Sequence, residues 1–353
     1  MMAAQPIELK LMLTPRSRYD AIDVASRIRE EHGDALSGFR RVFYCSFHTT
    51  AGYLEQGLSI RLENQRDRLD PFIRAFQGLF PLGADYRHDQ LHLRRELSDD
   101  QRRCEPRNAD SHLTFIGSGL RNCVTYQNRP GEPVYFMDLD GVHDGQPRTR
   151  QTSVLAYNRG EVVGRVRCEV PVSKHPIDSI NLADPRVGVL DRAQDLLARH
   201  GVAKGRLDLA LDPAERDAGV TVNEYETLLM RHDLAEVLAD PFKFVARQGR
   251  RMLRDPRSIP SKSWGYARYD AVQVLNELMD ALRVSESALE KLMARVMAVP
   301  ARRFLRLKRS VSMLVSESAG GVVQGTYQNP IMIQWAAAPR GARTIEMTLT
   351  RFL

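Results

Sequence analysis

Between residues 6 and 14 the chain reads Pro-Ile-Glu-Leu-Lys-Leu-Met-Leu-Thr, an alternation of apolar and polar side chains that marks a strand with one face on a core. Residues 22–31 have helical spacing, and residues 41–47 predict a second strand that delivers His48 at its end. From 62 to 80 the apolar positions Leu69, Phe72, Ile73, Phe76 and Leu79 fall on one helical face, a stripe that predicts core packing. Short runs at 113–116, 122–126, 134–139 and 152–157, divided by Gly, Pro and Asp turns, predict four further strands.

The series then starts again. Residues 169–172 are strand-like, 192–200 helical, 206–211 alternate as a strand, and an apolar segment follows at 218–224. Thr-Tyr-Gln-Asn occurs at 125–128 and again at 326–329, each time followed by an apolar strand, a Pro-Arg pair (Pro147-Arg148; Pro339-Arg340) and a final strand (152–157; 344–352). Self-similarity of this kind predicts a tandem duplication. The expected fold is therefore α+β, two related domains of antiparallel sheet flanked by helices, over residues 1–164 and 165–353. Aligning Ala51-Gly52 with Ala218-Gly219 places Glu215 opposite His48, Asn223 opposite Gln56 and Glu224 opposite Gly57. Helical patterns at 242–254 and 269–297 stand where the first copy carries His88 and His112.

Composition narrows the class. A chain of 353 residues with 43% hydrophobic and 27% charged side chains has enough apolar material for two ordinary globular cores. No apolar run approaches the ~20 residues needed to cross a bilayer, and Glu8 and Lys10 interrupt any signal-peptide core, so a cytoplasmic protein is expected. Four cysteines without a paired motif predict free thiols. The net charge of +7 suits an anionic partner. The basic residues are spread along the chain without a nucleic-acid-binding motif, which favours a small anionic metabolite over nucleic acid.

Three histidines stand in polar, small-residue surroundings: Phe47-His48-Thr49-Thr50-Ala51-Gly52, Asp85-Tyr86-Arg87-His88-Asp89 and Arg107-Asn108-Ala109-Asp110-Ser111-His112. Such neighbours suit a metal-binding imidazole whose second nitrogen needs an acceptor, although the intervals match no zinc-finger or zinc-protease spacing. Three surface or hydrogen-bonded histidines are the alternative. Asp89 and Asp110 either orient such rings or cap turns. Asp138 and Asp140 share one side of a strand, and Arg87, Arg107 and Arg148 are candidate forks for phosphate.

These three motifs, in this order, resemble the YjbQ family, the so-called secondary thiamine-phosphate synthases. The resemblance runs over residues 6–158 and continues through Gly117-Ser118-Gly119, Thr125-Tyr126-Gln127-Asn128, Asp138-Leu139-Asp140-Gly141 and Pro147-Arg148. It implies a divalent metal, zinc in the first instance, on His48, His88 and His112, with a fourth position left for water or substrate. It further implies substrate contacts from Arg87, Arg107, Asn108, Arg148 and Asp140, a homo-oligomer of trimeric type, and a reaction joining a pyrimidine methyl diphosphate to a thiazole phosphate. The second copy matches through Val222-Asn223-Glu224 and Gly325-Thr326-Tyr327-Gln328 and has no histidine at the ligand places, whereas the first lacks the family's Asn-Glu. Either the second copy is a packing partner, or Asn223 and Glu224 complete a composite site. Asp110, Asp89 and Glu224 are the candidates for moving the proton. The alternative function is a non-catalytic, metal-bearing binding or scaffold protein for a small anionic metabolite.

Overall fold

The computed structural model describes residues 5–239 and 305–353, so the helical patterns at 242–254 and 269–297 lie outside the described residues. In the first half the elements are β1 (Ile7–Leu13), β2 (Asp20–Asp23), α1 (Val24–His32), β3 (Arg41–Ser46), β4 (Ala51–Gly52), α2 (Gln56–Arg61), α3 (Arg66–Leu79), α4 (Asp99–Cys104), α5 (Ala109–Ser118), β5 (Cys123–Gln127), β6 (Tyr135–Asp138), the short pair β7 (Val142–His143) and β8 (Gln146–Pro147), and β9 (Arg150–Tyr157). The second half supplies β10 (Gly160–Pro171), β11 (Asp178–Asn181), α6 (Val189–His200), β12 (Lys204–Leu211), β13 (Ala218–Asn223), α7 (Leu234–Ala239), β14 (Ser310–Ser316), β15 (Gly321–Val323), β16 (Asn329–Gln334) and β17 (Ala342–Phe352). The fold is α+β with antiparallel sheets flanked by helices, as the alternating segments predict.

The two halves have one strand order. The main sheet runs β1-β9-β3-β5 in the first and β10-β17-β12-β14 in the second, where β15 is added; the small sheets run β2-β6-β4 and β11-β16-β13. Local chemistry sets the helix between the second and third strands. Asp23 accepts from the amides of Ala25 and Ser26 to start α1, two residues later than the pattern suggests, because Ile22 and Asp23 pair with β6. The repeated Thr-Tyr-Gln-Asn does not fall on corresponding elements. Its first copy ends β5, whereas the second lies beyond β15 and leads into β16.

The chain divides into two compact units that interleave the halves: a β-rich unit of Met1–Ile60, Gly119–Tyr225 and Leu307–Leu353, and a helical unit of Arg61–Ser118 and Glu226–Arg306. Residue 164, where the sequence suggests a boundary, lies inside β10. Within the β-rich unit the sheets of both halves share a core, in which Phe43, Cys45, Cys123, Leu155 and Tyr157 meet Leu314 and Phe352. Phe352 stacks on Tyr157 at 3.7 Å between ring centroids. This explains the run Val42–Ser46: Val42 and Tyr44 face a core with α1, and Phe43 and Cys45 face the second half, so both sides of β3 are buried. Cys45, Cys123 and Cys168 are buried free thiols and Cys104 is exposed.

In the helical unit α3 buries Leu69, Phe72, Ile73 and Phe76, as its stripe predicts. The strand expected at 113–116 is instead part of α5, all ten residues of which are buried. A helix covered on every side has no polar face, so the periodic signal that distinguishes it from a buried strand is missing. Gly117 allows the close packing: a Cβ there would stand 2.8 Å from the Phe80 ring and 3.2 Å from Leu305. Among the described residues no helix is long and apolar enough to cross a membrane.

Candidate functional site

His88 is fully buried in the helical unit, and its Nδ1 lies 2.9 Å from Glu226 Oε2. An ionised carboxylate only accepts, so Nδ1 carries a proton. Nε2 looks onto the side-chain amide of Asn108, 3.4 Å from Oδ1, and the His112 ring stands edge-on with its centroid 5.4 Å from that of His88. The loop bearing His88 is held by Asp233, whose two carboxylate oxygens accept from the amides of Arg87 (2.9 Å) and His88 (3.0 Å). Asp89 accepts from the Ala109 amide at 3.0 Å and so caps α5, the helix that carries Asp110 and His112. Of its two predicted uses, capping is the one the geometry displays.

These acids are electrically crowded. Burial pushes the carboxyls of Asp89 and Asp233 up to about 6 in each case, against the amides that hydrogen-bond them and the His88 charge. Burial also raises Glu226, but the His88 hydrogen bond and the amides of Leu228 and Leu229 outweigh it and leave this carboxyl below its ordinary range. Desolvation lifts the Tyr86 phenol far above its usual value, reinforced by Asp110, Asp89 and Asp233. Asp110 is itself buried. Arg87 and Arg107 are exposed, and Arg87 Nη1 lies 3.3 Å from His232 Nδ1.

His48 belongs to the β-rich unit, where its Nε2 accepts from the Gln151 amide at 2.8 Å. Desolvation, with the positive charges of Arg150 and Arg148, pulls the imidazole down to about 3, so the ring is neutral. Arg150 is itself buried on Asp138 through bonds of 2.6 and 2.9 Å. The second half repeats this register with other side chains. Thr344, which follows Arg343, donates its amide to Glu215 Oε1 at 2.8 Å, and Arg343 Nε donates to Gln334 at 3.0 Å. Ala51 pairs with Asp138 and Ala218 with Gln334, so Glu215 stands at the place of His48.

The other predicted residues are placed as follows. Arg148 and Arg18 both bind Asp140, which is fully buried, so Asp140 and Arg148 are engaged with each other in the β-rich unit. Asn223 donates to the Thr49 carbonyl at 3.0 Å, and the Glu224 amide donates back to Asn223 Oδ1. That brings the Asn223–Glu224 segment beside the strand end of His48. Gln328 adds bonds to the carbonyls of Ser46 (3.0 Å) and His48 (2.9 Å), and a Cβ on Gly325 would lie 1.9 Å from Phe47 O, so this backbone approach requires glycine.

A three-histidine zinc site needs a free lone pair from each ring. His88 shows one half of a ligand's arrangement, Nδ1 on a carboxylate, while its Nε2 stands 3.4 Å from Asn108 Oδ1. His48 does not: with Nε2 engaged by an amide, the neutral ring carries its proton on Nδ1. Among the described residues there is no group of three or more His, Cys, Asp or Glu that would hold a metal. The three-histidine set therefore does not fit zinc in this arrangement.

No protein-family model matches the chain, and no curated protein matches it. Solved structures do. A YbjQ-like protein of unknown function from Sulfolobus solfataricus P2 is 16% identical, with 55% of this chain and 99% of that one covered at a TM-score of 0.29. A hypothetical protein from Aeropyrum pernix K1 is 17% identical, covering 54% and 98% at 0.27. An uncharacterised conserved YjbQ-family protein from Clostridium acetobutylicum is 13% identical, covering 53% and 99% at 0.26.

Sequence reasoning missed Glu226 and Asp233, nominating Glu224 instead. One signal was present. Glu226 and Asp233 are seven residues apart, two turns on one helical face, in a stretch otherwise rich in Leu and Met at 228–230 and 234–238. Acids on the apolar side of a helix are candidates for buried, partnered groups.

Proposed function

We propose that the protein is a YjbQ-like enzyme built from tandem copies, and that it acts on a small phosphorylated metabolite by acid–base chemistry at His88. The observation that carries this is the buried His88–Glu226 pair. Glu226 holds the Nδ1 proton and raises the basicity of Nε2, the edge from which a proton is taken and returned. Asp233 fixes the backbone of Arg87 and His88, and Asp89 fixes the start of α5, so the positions of Asn108, Asp110 and His112 are set before a substrate arrives. Arg87 and Arg107, both exposed, are the cations that would take the phosphate. The family motifs around His48, His88 and His112 and the shared strand order support the lineage.

The competing reading is a non-catalytic binding protein, favoured by one observation: His88 and His112 are both 0% exposed. Incubating the protein with a pyrimidine methyl diphosphate and a thiazole phosphate separates the two. Thiamine phosphate should form, and His88→Asn and Glu226→Gln should each slow it about 10²-fold or more with the fold intact by circular dichroism. Wild-type protein that forms no product sinks the synthase reading, and turnover unchanged in His88→Asn sinks the assignment of the base. Metal analysis of the same preparation should find well under one equivalent of zinc. A full equivalent that is lost in His48→Ala would reinstate the three-histidine site.

A further inference from the structure

We propose that the β-rich unit holds a second binding site, for a small metabolite with an oxyanion head, at the crevice between the first half's sheet and residues 318–326 of the second half, with Lys10 and His48 as donors. A cavity of about 310 Å³ opens there, lined among others by Lys10, Phe47, His48, Ser153, Val323 and Thr326. That volume is at the lower end of small-molecule sites.

The donors follow from register and tautomer. Lys10 pairs with Ser153 across β1 and β9, on the face opposite the buried Leu9-Leu11-Leu13 row, so its ammonium is directed to the side the second half covers. His48 Nε2 accepts from the Gln151 amide and so bears no hydrogen, which leaves the ring's proton on Nδ1 as a donor. Among the described residues neither Lys10 Nζ nor His48 Nδ1 has a hydrogen-bond or ion-pair partner.

The one acid in the lining, Glu8, is turned onto the Ser316 hydroxyl, which donates to it at 2.6 Å. Phe47 and Val323 give the ligand's body an apolar wall. Gln328 on the Ser46 and His48 carbonyls, with Gly325 against Phe47, holds that wall in place before binding. Two donors and an apolar wall suit a carboxylate or a phosphate on a small organic body; the geometry is common to both heads.

The test is a titration of the ¹⁵N-labelled full chain with benzoate and, separately, phenyl phosphate, following the amides of His48 and Gln151 and the His48 ring nitrogens. The free protein should report a ring protonated at Nδ1. Saturable shifts at His48 and Gln151 are expected from at least one probe, and the tighter of the two identifies the head as carboxylate or phosphate. Lys10→Met, on an exposed position that leaves the core untouched, should weaken that probe at least fivefold, and His48→Phe should do the same. A ring protonated at Nε2, the lack of a saturable shift from both probes, or an unchanged affinity in Lys10→Met would each overturn the proposal.

Discussion

In the β-rich unit the His48 ring receives a hydrogen bond at Nε2 from the Gln151 amide, whereas in the helical unit the His88 ring gives one from Nδ1 to Glu226. Both rings carry the proton on Nδ1, yet they present opposite edges. His48 has its lone pair engaged and a donor turned outward; His88 has its Nδ1 donor engaged by a carboxylate, with Nε2 3.4 Å from the Asn108 amide oxygen. The same residue type, flagged by the same kind of motif, is proposed to hold an anion in one place and to move a proton in the other. What decides is the partner, a backbone N–H in one case and a carboxylate in the other.

The largest effect should come from removing the carboxylate. Glu226→Ala leaves the His88 Nδ1–H and the amides of Leu228 and Leu229 without their acceptor in a buried place, and should destabilise the helical unit by about 2–4 kcal/mol. His48→Ala removes the acceptor of a single amide, and should cost the β-rich unit about 1–2 kcal/mol. Hydrogen exchange resolved for each unit gives both numbers, and a reversal of their order would break the contrast.

Acid should then separate these groups by sign. His48 is held near 3 against an ordinary 6.5, so between those values the unfolded chain binds the extra proton, and its contribution is lost as pH falls from 6.5 toward 3. By pH 4 that loss is on the order of 2–3 kcal/mol. Asp89 and Asp233 are lifted to about 6 from 3.8, so there the folded state binds the proton, and stability falls as pH rises from about 4 to 6. Each contributes on the order of 1–3 kcal/mol. Asp89→Asn should flatten that slope in the helical unit, and His48→Gln should flatten the opposite slope in the β-rich unit. A slope left unchanged by its own variant would refute that assignment.

The smallest effect sharpens the electrostatic side. Arg148 is one of the charges that depress His48, and Asp140 keeps Arg18 when Arg148 is removed. Arg148→Met should therefore raise the His48 pKa toward its ordinary value without unfolding the protein, as read from its ring signals by NMR. No change would mean that burial and Arg150 suffice to hold the ring neutral.

Several of these features were legible in the residues. The alternation at 6–14 and 206–211 is β1 and β12, the stripe from Leu69 to Phe76 is the buried face of α3, and the alignment of Ala51-Gly52 with Ala218-Gly219 puts Glu215 where the register puts it. Periodicity and short-range spacing carry such information because a strand or an amphipathic helix writes its exposed and buried sides along the chain. The helix at Ala109–Ser118 escaped that logic, because burial on all sides erases the contrast from which a period is read. The Thr-Tyr-Gln-Asn identity misled, since four residues can recur without occupying equivalent elements.

The sequence by itself determined β1, β3, β12, the buried stripe of α3 and the three histidines worth following. Only the tertiary structure decided what each histidine bonds to. Its partners lie far along the chain, Gln151 for His48 and Glu226 for His88, separated by 103 and 138 residues, and no local pattern encodes a hydrogen bond across such a distance. An imidazole becomes a donor, a base or a ligand according to which of its two nitrogens is already engaged, and that is settled when the fold brings an amide to one ring and a carboxylate to the other.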